Sequence, residues 1–451
     1  MKHSLSLCLL LLTSAAFAQE GYVVKTTADG LYLDLGKASG AKSGDRFTVY
    51  KEGENLKHPV TGENLGAEET TLAGGTIVEV REKYSIGKLD ASSRKTTLAP
   101  AMKVRLKPTP KQAPVAASTN RAAVGLAPDG AMIRKPIYQS PPLELEAVDI
   151  AVGDTDADGR PDAILADAKI IKAYPIRQGD AKWIATCSHK QRGTKTRILS
   201  VEAADLNGDG RSEIYATVHD GFFKRIETHV LACEGGAMKT LQTIPGTVRS
   251  YKKADGTWGL ATQQLLADRT FPYGGIFVLE YKDGKFGPSK QRIKNKRLQW
   301  VHGFGISKRR DKEILVFYDR RQRIRLIFDK GKWSTPDTYG QTRERVSWHD
   351  NKLMFHARPI VETGDDDLKG VYSIRNIPAL YGMARSMGLY KGSELYYLRW
   401  NGVGLEPAWK ASIGGYAAGL AEFVPGAGQS ARLAVPVNGA HGSTSVWLYD
   451  K

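Results

Sequence analysis

Two stretches of this chain, 51 residues apart, are near copies of each other. The first reads Asp154-Thr155-Asp156-Ala157-Asp158-Gly159-Arg160-Pro161-Asp162, the second Asp205-Leu206-Asn207-Gly208-Asp209-Gly210-Arg211-Ser212-Glu213. Oxygen-bearing side chains stand at the first, third, fifth and ninth positions of each, with a glycine at the sixth. That spacing lets a short loop wrap a hard cation such as Ca²⁺, which takes about six to eight oxygen ligands. Near copies at a fixed interval also mark a repeat architecture. These are not EF-hands. The twelfth position is Leu165 or Ala216, where a bidentate glutamate is needed, and strand patterns replace the flanking helices.

A second repeated element supports the first. It is an apolar strand, a glycine turn and a return strand. Copies are Val230–Gly236, Val278–Phe286, Leu326–Trp333 and Leu398–Gly402, with a longer gap between the last two. Asp-Gly and Asn-Gly suit tight hairpins because the turn needs positive φ. A hairpin roughly every 50 residues predicts an all-β fold, a β-propeller of six or seven blades over 143–451. A pair of β-sandwiches is the alternative.

The segments Val152–Leu165 and Ala204–Tyr215 resemble the FG-GAP or VCBS repeat of integrin-type β-propellers. That resemblance implies Ca²⁺ in a loop linking two strands of one blade. The ligands it implies are Asp154, Asp156, Asp158 and Asp162 in one loop, and Asp205, Asn207, Asp209 and Glu213 in the other. The carbonyls of Arg160 and Arg211 would complete the shells. Two such ions are expected to be structural, because neutralising each cation leaves no spare base. Aligning Glu313-Ile314-Leu315 with Glu213-Ile214-Tyr215 puts Arg309 and Arg310 where the fifth and sixth loop positions would be, so no cation is expected there. Glu362, Asp365, Asp366 and Asp367 form a third, irregularly spaced acidic cluster.

The N-terminus reads as a secretion signal over 1–18. Lys2 and His3 precede the apolar run Leu5–Leu12 and the cleavage pattern Ala16-Phe17-Ala18. The mature chain then keeps Cys187 and Cys233. In an exported protein these are candidates for one disulfide, worth about 4 kcal/mol in the chain-entropy model; two free buried thiols are the alternative. Residues 19–106 alternate in short runs and predict a small β-domain. Leu31–Gly36, Gly44–Val49 and His58–Gly66 loosely resemble the C-terminal domain of the flagellar assembly protein T, which implies a β-domain of envelope assembly. Pro108, Pro110 and Pro114 mark a linker over 107–142.

Net charge is +17. Residues 107–451 hold 51 Lys and Arg against 36 Asp and Glu, so the second domain carries the excess; that suits a polyanionic partner such as an anionic glycan, a lipid headgroup or nucleic acid, or equally a solvated surface. Arg321, Arg323 and Arg325 alternate along an expected strand and would share one face, a candidate site for an anionic glycan or nucleic acid. No nucleophile elbow, phosphate loop, dinucleotide fingerprint or zinc-protease motif is present. The leading expectation is an exported, non-enzymatic binding or scaffold protein of the cell envelope. It would be periplasmic, outer-membrane-associated or extracellular, with an envelope protein as partner. A polyanion-binding protein and a propeller-based hydrolase are the other readings.

Overall fold

The computed structural model describes residues 20–27, 30–57, 64–90, 98–100, 102–107, 127, 129–266, 272–348, 351–379, 388–439 and 442–451. The expected signal segment, its cysteine, the linker prolines and the turn at 58–63 lie outside the described residues. The chain divides into two compact units, Met1–Ala116 and Ala117–Lys451. Among the described residues no helix is long and apolar enough to cross a membrane.

The first unit is a closed barrel. Its strands are β1 (Glu20–Thr27), β2 (Gly30–Leu33), β3 (Arg46–Lys57), β4 (Asn64–Val80), β5 (Ser85–Leu89) and β6 (Lys103–Lys107). They run in the order β1-β2-β5-β4-β3-β6, and β6 pairs back onto β1. Period-two alternation turns Val23, Leu31, Leu33, Val49 and Val104 inward around Phe47. Gly75 and Gly87 leave room for that ring: a Cβ at either would lie 2.4 or 2.3 Å from it.

The second unit is a propeller-like ring of sheets. Two short strands come first, β7 (Met132–Ile133) and β8 (Tyr138–Gln139). Sheet I holds β9 (Asp149–Gly153), β10 (Asp162–Ala166), β11 (Ile170–Pro175) and β12 (Cys187–Lys190). Sheet II holds β13 (Thr196–Ala204), β14 (Glu213–Asp220), β15 (Arg225–Glu234) and β16 (Ala237–Pro245). A single parallel pairing, Ser188 with Ala237, joins sheets I and II. Sheet III holds β17 (Thr247–Lys252), β18 (Trp258–Leu265), β19 (Tyr273–Lys282) and β20 (Lys285–Arg292). Sheet IV holds β21 (Phe304–Arg309), β22 (Lys312–Tyr318), β23 (Ile324–Ile327) and β24 (Lys332–Ser334). A lone hairpin follows, β25 (Arg345–Trp348) and β26 (Asn351–Met354). Sheet V holds β27 (Ile360–Thr363), β28 (Leu368–Pro378), β29 (Tyr390–Trp400) and β30 (Leu405–Ile413). Sheet VI holds β31 (Tyr416–Ala417), β32 (Ala421–Phe423), β33 (Arg432–Asn438) and β34 (Thr444–Asp450).

The opening strands succeed one another around the ring. β9 packs on β13, β13 on β17, β17 on β21 and β21 on β27, and β32 returns to β9. The four hairpins expected from sequence are β15–β16, β19–β20, β23–β24 and β29–β30. Asp283-Gly284 turns with φ of 52° and 77°, and Gly235-Gly236 with 58° and 84°, as a tight hairpin requires. The longer gap between the last two copies is occupied by β25–β26. Its Val346, Trp348 and Leu353 pack on Leu199 of β13 and Ile226 of β15.

One boundary needs correction. The end of the expected linker, to residue 142, belongs to the ring: β7 pairs with β30, and β8 completes sheet VI against β34. Two-residue strands carry no period, so composition hid them.

Candidate metal centre

Each acidic loop bridges the first two strands of its sheet. Gly153 pairs with Asp162, and Ala204 with Glu213, so positions one and nine of each loop are brought together at the strand ends. Asp154 Oδ1 and Oδ2 accept from the amides of Ala157 and Gly159, both at 2.8 Å. Asp205 does the same for Gly208 (2.7 Å) and Gly210 (3.0 Å). The curl needs positive φ at Ala157 (63°) and Gly159 (78°), and at Gly208 (77°) and Gly210 (87°).

This folding gathers carboxylates. One oxygen from each of Asp154, Asp156 and Asp162 lies within 4.8 Å of the others, and the same holds for Asp205, Asp209 and Glu213. Asp158 stands outside the first group, and its Oδ1 accepts from the Arg160 amide at 2.8 Å. Asn207 accepts from the Asp209 amide at 2.9 Å and donates through Nδ2 to Asp209 at 3.1 Å. The Arg211 amide is held by Asp209 at 2.8 Å.

The ninth residue of each loop is buried. Burial pushes the Asp162 carboxyl up, bonds from Thr155 pull against it, and the charges of Asp156 and Asp158 add to the push. Glu213 is raised the same way, by burial first and by Asp209 and Asp205, against bonds from the Leu206 amide and Tyr215 hydroxyl. Carboxylates crowded at a partly buried point are what a bound cation relieves. The residues present therefore fit Ca²⁺, with Asp154, Asp156, Asp162, Asp205, Asp209 and Glu213 as the converging oxygens. The loops also touch: the Ser212 amide donates to the Asp154 carbonyl at 2.6 Å.

Cys187 and Cys233 form a disulfide with a Cα–Cα distance of 6.0 Å, tying β12 to β15 beside the parallel pairing. A disulfide there suits an oxidising, extracytoplasmic compartment.

Other expectations are corrected. Arg321 and Arg323 are not on a strand, and only Arg325 lies in β23. That strand is an inner one, between β22 and β24. Arg323 and Arg325 both pair with Asp319 at 3.2 Å, so one carboxylate draws two of the three arginines inward. The alignment through Glu313 also changes. Arg309 pairs with Lys312 across a two-residue turn, which leaves no room for an ion loop. Nor does the third acidic cluster converge among the described residues. Asp367 pairs with Arg309 at 3.4 Å, Glu362 with Lys451 at 3.7 Å, and the Asp366 carbonyl accepts from the Arg310 amide.

Sequence reading missed a buried charge network where the opening strands meet. Arg249 of β17 donates to Asp149 of β9 and, at 2.8 Å, to Glu202 of β13 and to the His356 carbonyl. Arg358, just before β27, donates to Glu202 at 3.1 Å and to the Ile150 carbonyl at 3.0 Å. His302 Nε2 lies 2.6 Å from the Thr247 hydroxyl. The available signal was a lone charge inside an apolar strand, as in Val148-Asp149-Ile150 and Val201-Glu202.

Residues 154–216 match the FG-GAP-like repeat family. The match lies within the second unit, so the flagellar resemblance of the first gains no support from it. No curated protein sequence matches the chain. Among solved structures, similar chains include the WD40 repeats of RRP9 at 11% identity, covering 70% of this chain and 100% of that one (TM-score 0.36). Another is a putative glucose dehydrogenase of Thermus thermophilus at 9% identity, covering 70% and 99% (TM-score 0.39). A third is a rhamnogalacturonan lyase of Bacillus licheniformis at 13% identity, covering 95% and 89% (TM-score 0.30).

Proposed function

We propose that this is an exported, non-enzymatic binding protein of the cell envelope, built on a six-bladed propeller whose first two blades are stiffened by Ca²⁺. The observation that carries the reading is the pair of carboxylate clusters, in touching loops, inside the FG-GAP-like match. Support for six blades comes from the succession of β9, β13, β17, β21 and β27 and from the contact of β32 in sheet VI with β9; β25–β26 is then an insertion between blades. The buried charges near the axis are bonded to one another, which favours a rigid frame over a reaction centre. Bound Ca²⁺ supplies charge neutralisation and fixes the two loops. Asp162 and Glu213 anchor it at the strand ends, and Asp154 and Asp205 hold the loop curl. In this reading the barrel unit engages an envelope protein.

The test is thermal melting of the exported protein. Chelation is expected to lower the melting temperature, and Asp154→Ala with Asp205→Ala to abolish the difference. A melt indifferent to chelator contradicts the reading.

A further inference from the structure

The β14–β15 hairpin ends in Asp220-Gly221-Phe222-Phe223-Lys224-Arg225. Turns favour Gly, Asn, Asp, Ser and Pro, so two adjacent phenylalanines there need a reason. Both point to solvent: Phe222 is 69% exposed and Phe223 65%. The turn that carries them is braced. Buried Asp220 accepts at Oδ1 from the amides of Phe222 (2.9 Å) and Phe223 (3.1 Å). The Gly221 amide donates to the Lys195 carbonyl at 3.0 Å. The two rings meet edge to face with centroids 4.9 Å apart.

Cations frame the rings. The Lys195 ammonium lies 5.8 Å from the Phe222 centroid, and the Arg225 guanidinium 5.1 Å from that of Phe223. Arg192 and Lys224 are exposed alongside. The tip lies at the end of sheet II opposite the acidic loops, since Thr196 pairs with Asp220 and Ala204 with Glu213. The basic Arg320-Arg321 turn shares that end. Arg320 donates to the Gln299 side chain, and the Gln299 carbonyl accepts from Gln263 near the end of β18. Leu265, two residues on, packs in the same cluster as Leu199 and Ile226.

We infer that this end of the ring docks on an anionic lipid bilayer, with Phe222 and Phe223 entering the boundary between headgroups and acyl chains. Aromatic rings are favoured at that depth, and basic residues beside them are drawn to anionic headgroups. A polyanion that lacks aromatic bases would be served by the cations alone and gives no role to two projecting phenylalanines. The inference does not depend on the Ca²⁺ reading.

The test is flotation of the full exported protein with phosphatidylcholine vesicles, with and without phosphatidylglycerol, at physiological ionic strength. The protein is expected to float only with the anionic vesicles. Phe222→Ala with Phe223→Ala should lower the bound fraction about tenfold or more while leaving the melting temperature and retention on heparin resin unchanged. Phe222→Trp should keep binding and add a blue-shifted emission when vesicles are present. Absence of flotation, or equal flotation of the parent and the double alanine variant, overturns the inference. So does a parallel loss of heparin retention in that variant, which assigns the tip to soluble polyanions.

Discussion

Sheets I and II and sheet IV solve the same problem differently. Each must turn from its first strand to its second at the same end of the blade. Sheets I and II use long acidic loops, curled around the side chains of Asp154 and Asp205. Sheet IV uses the two-residue turn Arg310-Asp311, with Arg310 at φ 55°, and leans Arg309 on Asp367 of sheet V. Where the turn is short, backbone pairing suffices. Where it is long and acidic, like charges gather, and in the proposed reading a cation holds it. On that reading the ion loops are conditional structure, and the short turn is not.

Four experiments break or sharpen that contrast. The largest effect belongs to the axis that both regions share. Arg249→Ala leaves Asp149 as a buried charge without its cation and Glu202 with Arg358 alone, and should cost about 3–5 kcal/mol by urea denaturation. A cost below about 1 kcal/mol would show that the network is not held together by that arginine.

Acid comes next, and its sign separates the regions. Burial lowers His356 to about 4 and takes His302 well below its ordinary value. Both depressed values favour the fold above about pH 6.5. That stability is lost as pH falls toward 4, on the order of 3 kcal/mol for His356. The raised carboxyls Asp162 and Glu213 act oppositely in ion-free protein: they bind protons more readily folded than unfolded, so acid relieves the loops. Ion-free protein should thus lose stability from pH 7 to 5, where the histidines dominate, and His356→Gln should flatten the slope. A rise in stability over that range would reverse the assignment.

Ion removal should act locally. At free Ca²⁺ about 100-fold above Kd, each site adds about 2.7 kcal/mol. Chelation should speed hydrogen exchange in β9, β10, β13 and β14 and leave β21 and β22 unchanged. Uniform acceleration would deny the contrast. The smallest effect is Arg309→Ala. Its ion pair is half exposed, and the loss should be about 0.5 kcal/mol or less in thermal melts.

The repeat of hairpins made the all-β ring legible, because Asp-Gly and Gly-Gly turns at regular intervals have few other uses. The acidic loops were legible because their ligand spacing is local. What escaped the sequence was set by register and long-range pairing. Strands β7 and β8 are too short to show a period. Arg323 and Arg325 read as an exposed row until the turn at Asp319 brought a carboxylate beneath them. Arg309 and Arg310 read as a degenerate ion loop until the strand register removed the loop itself. Asp149, Glu202 and Arg249 lie far apart in the chain, and only the meeting of three opening strands makes them partners.

The most direct test of the conditional loops is Ca²⁺ stoichiometry by native mass spectrometry, on protein stripped of metal and then titrated. Two ions per chain are predicted, falling to none with Asp154→Ala and Asp205→Ala. A parent protein that takes up no Ca²⁺ would contradict the account.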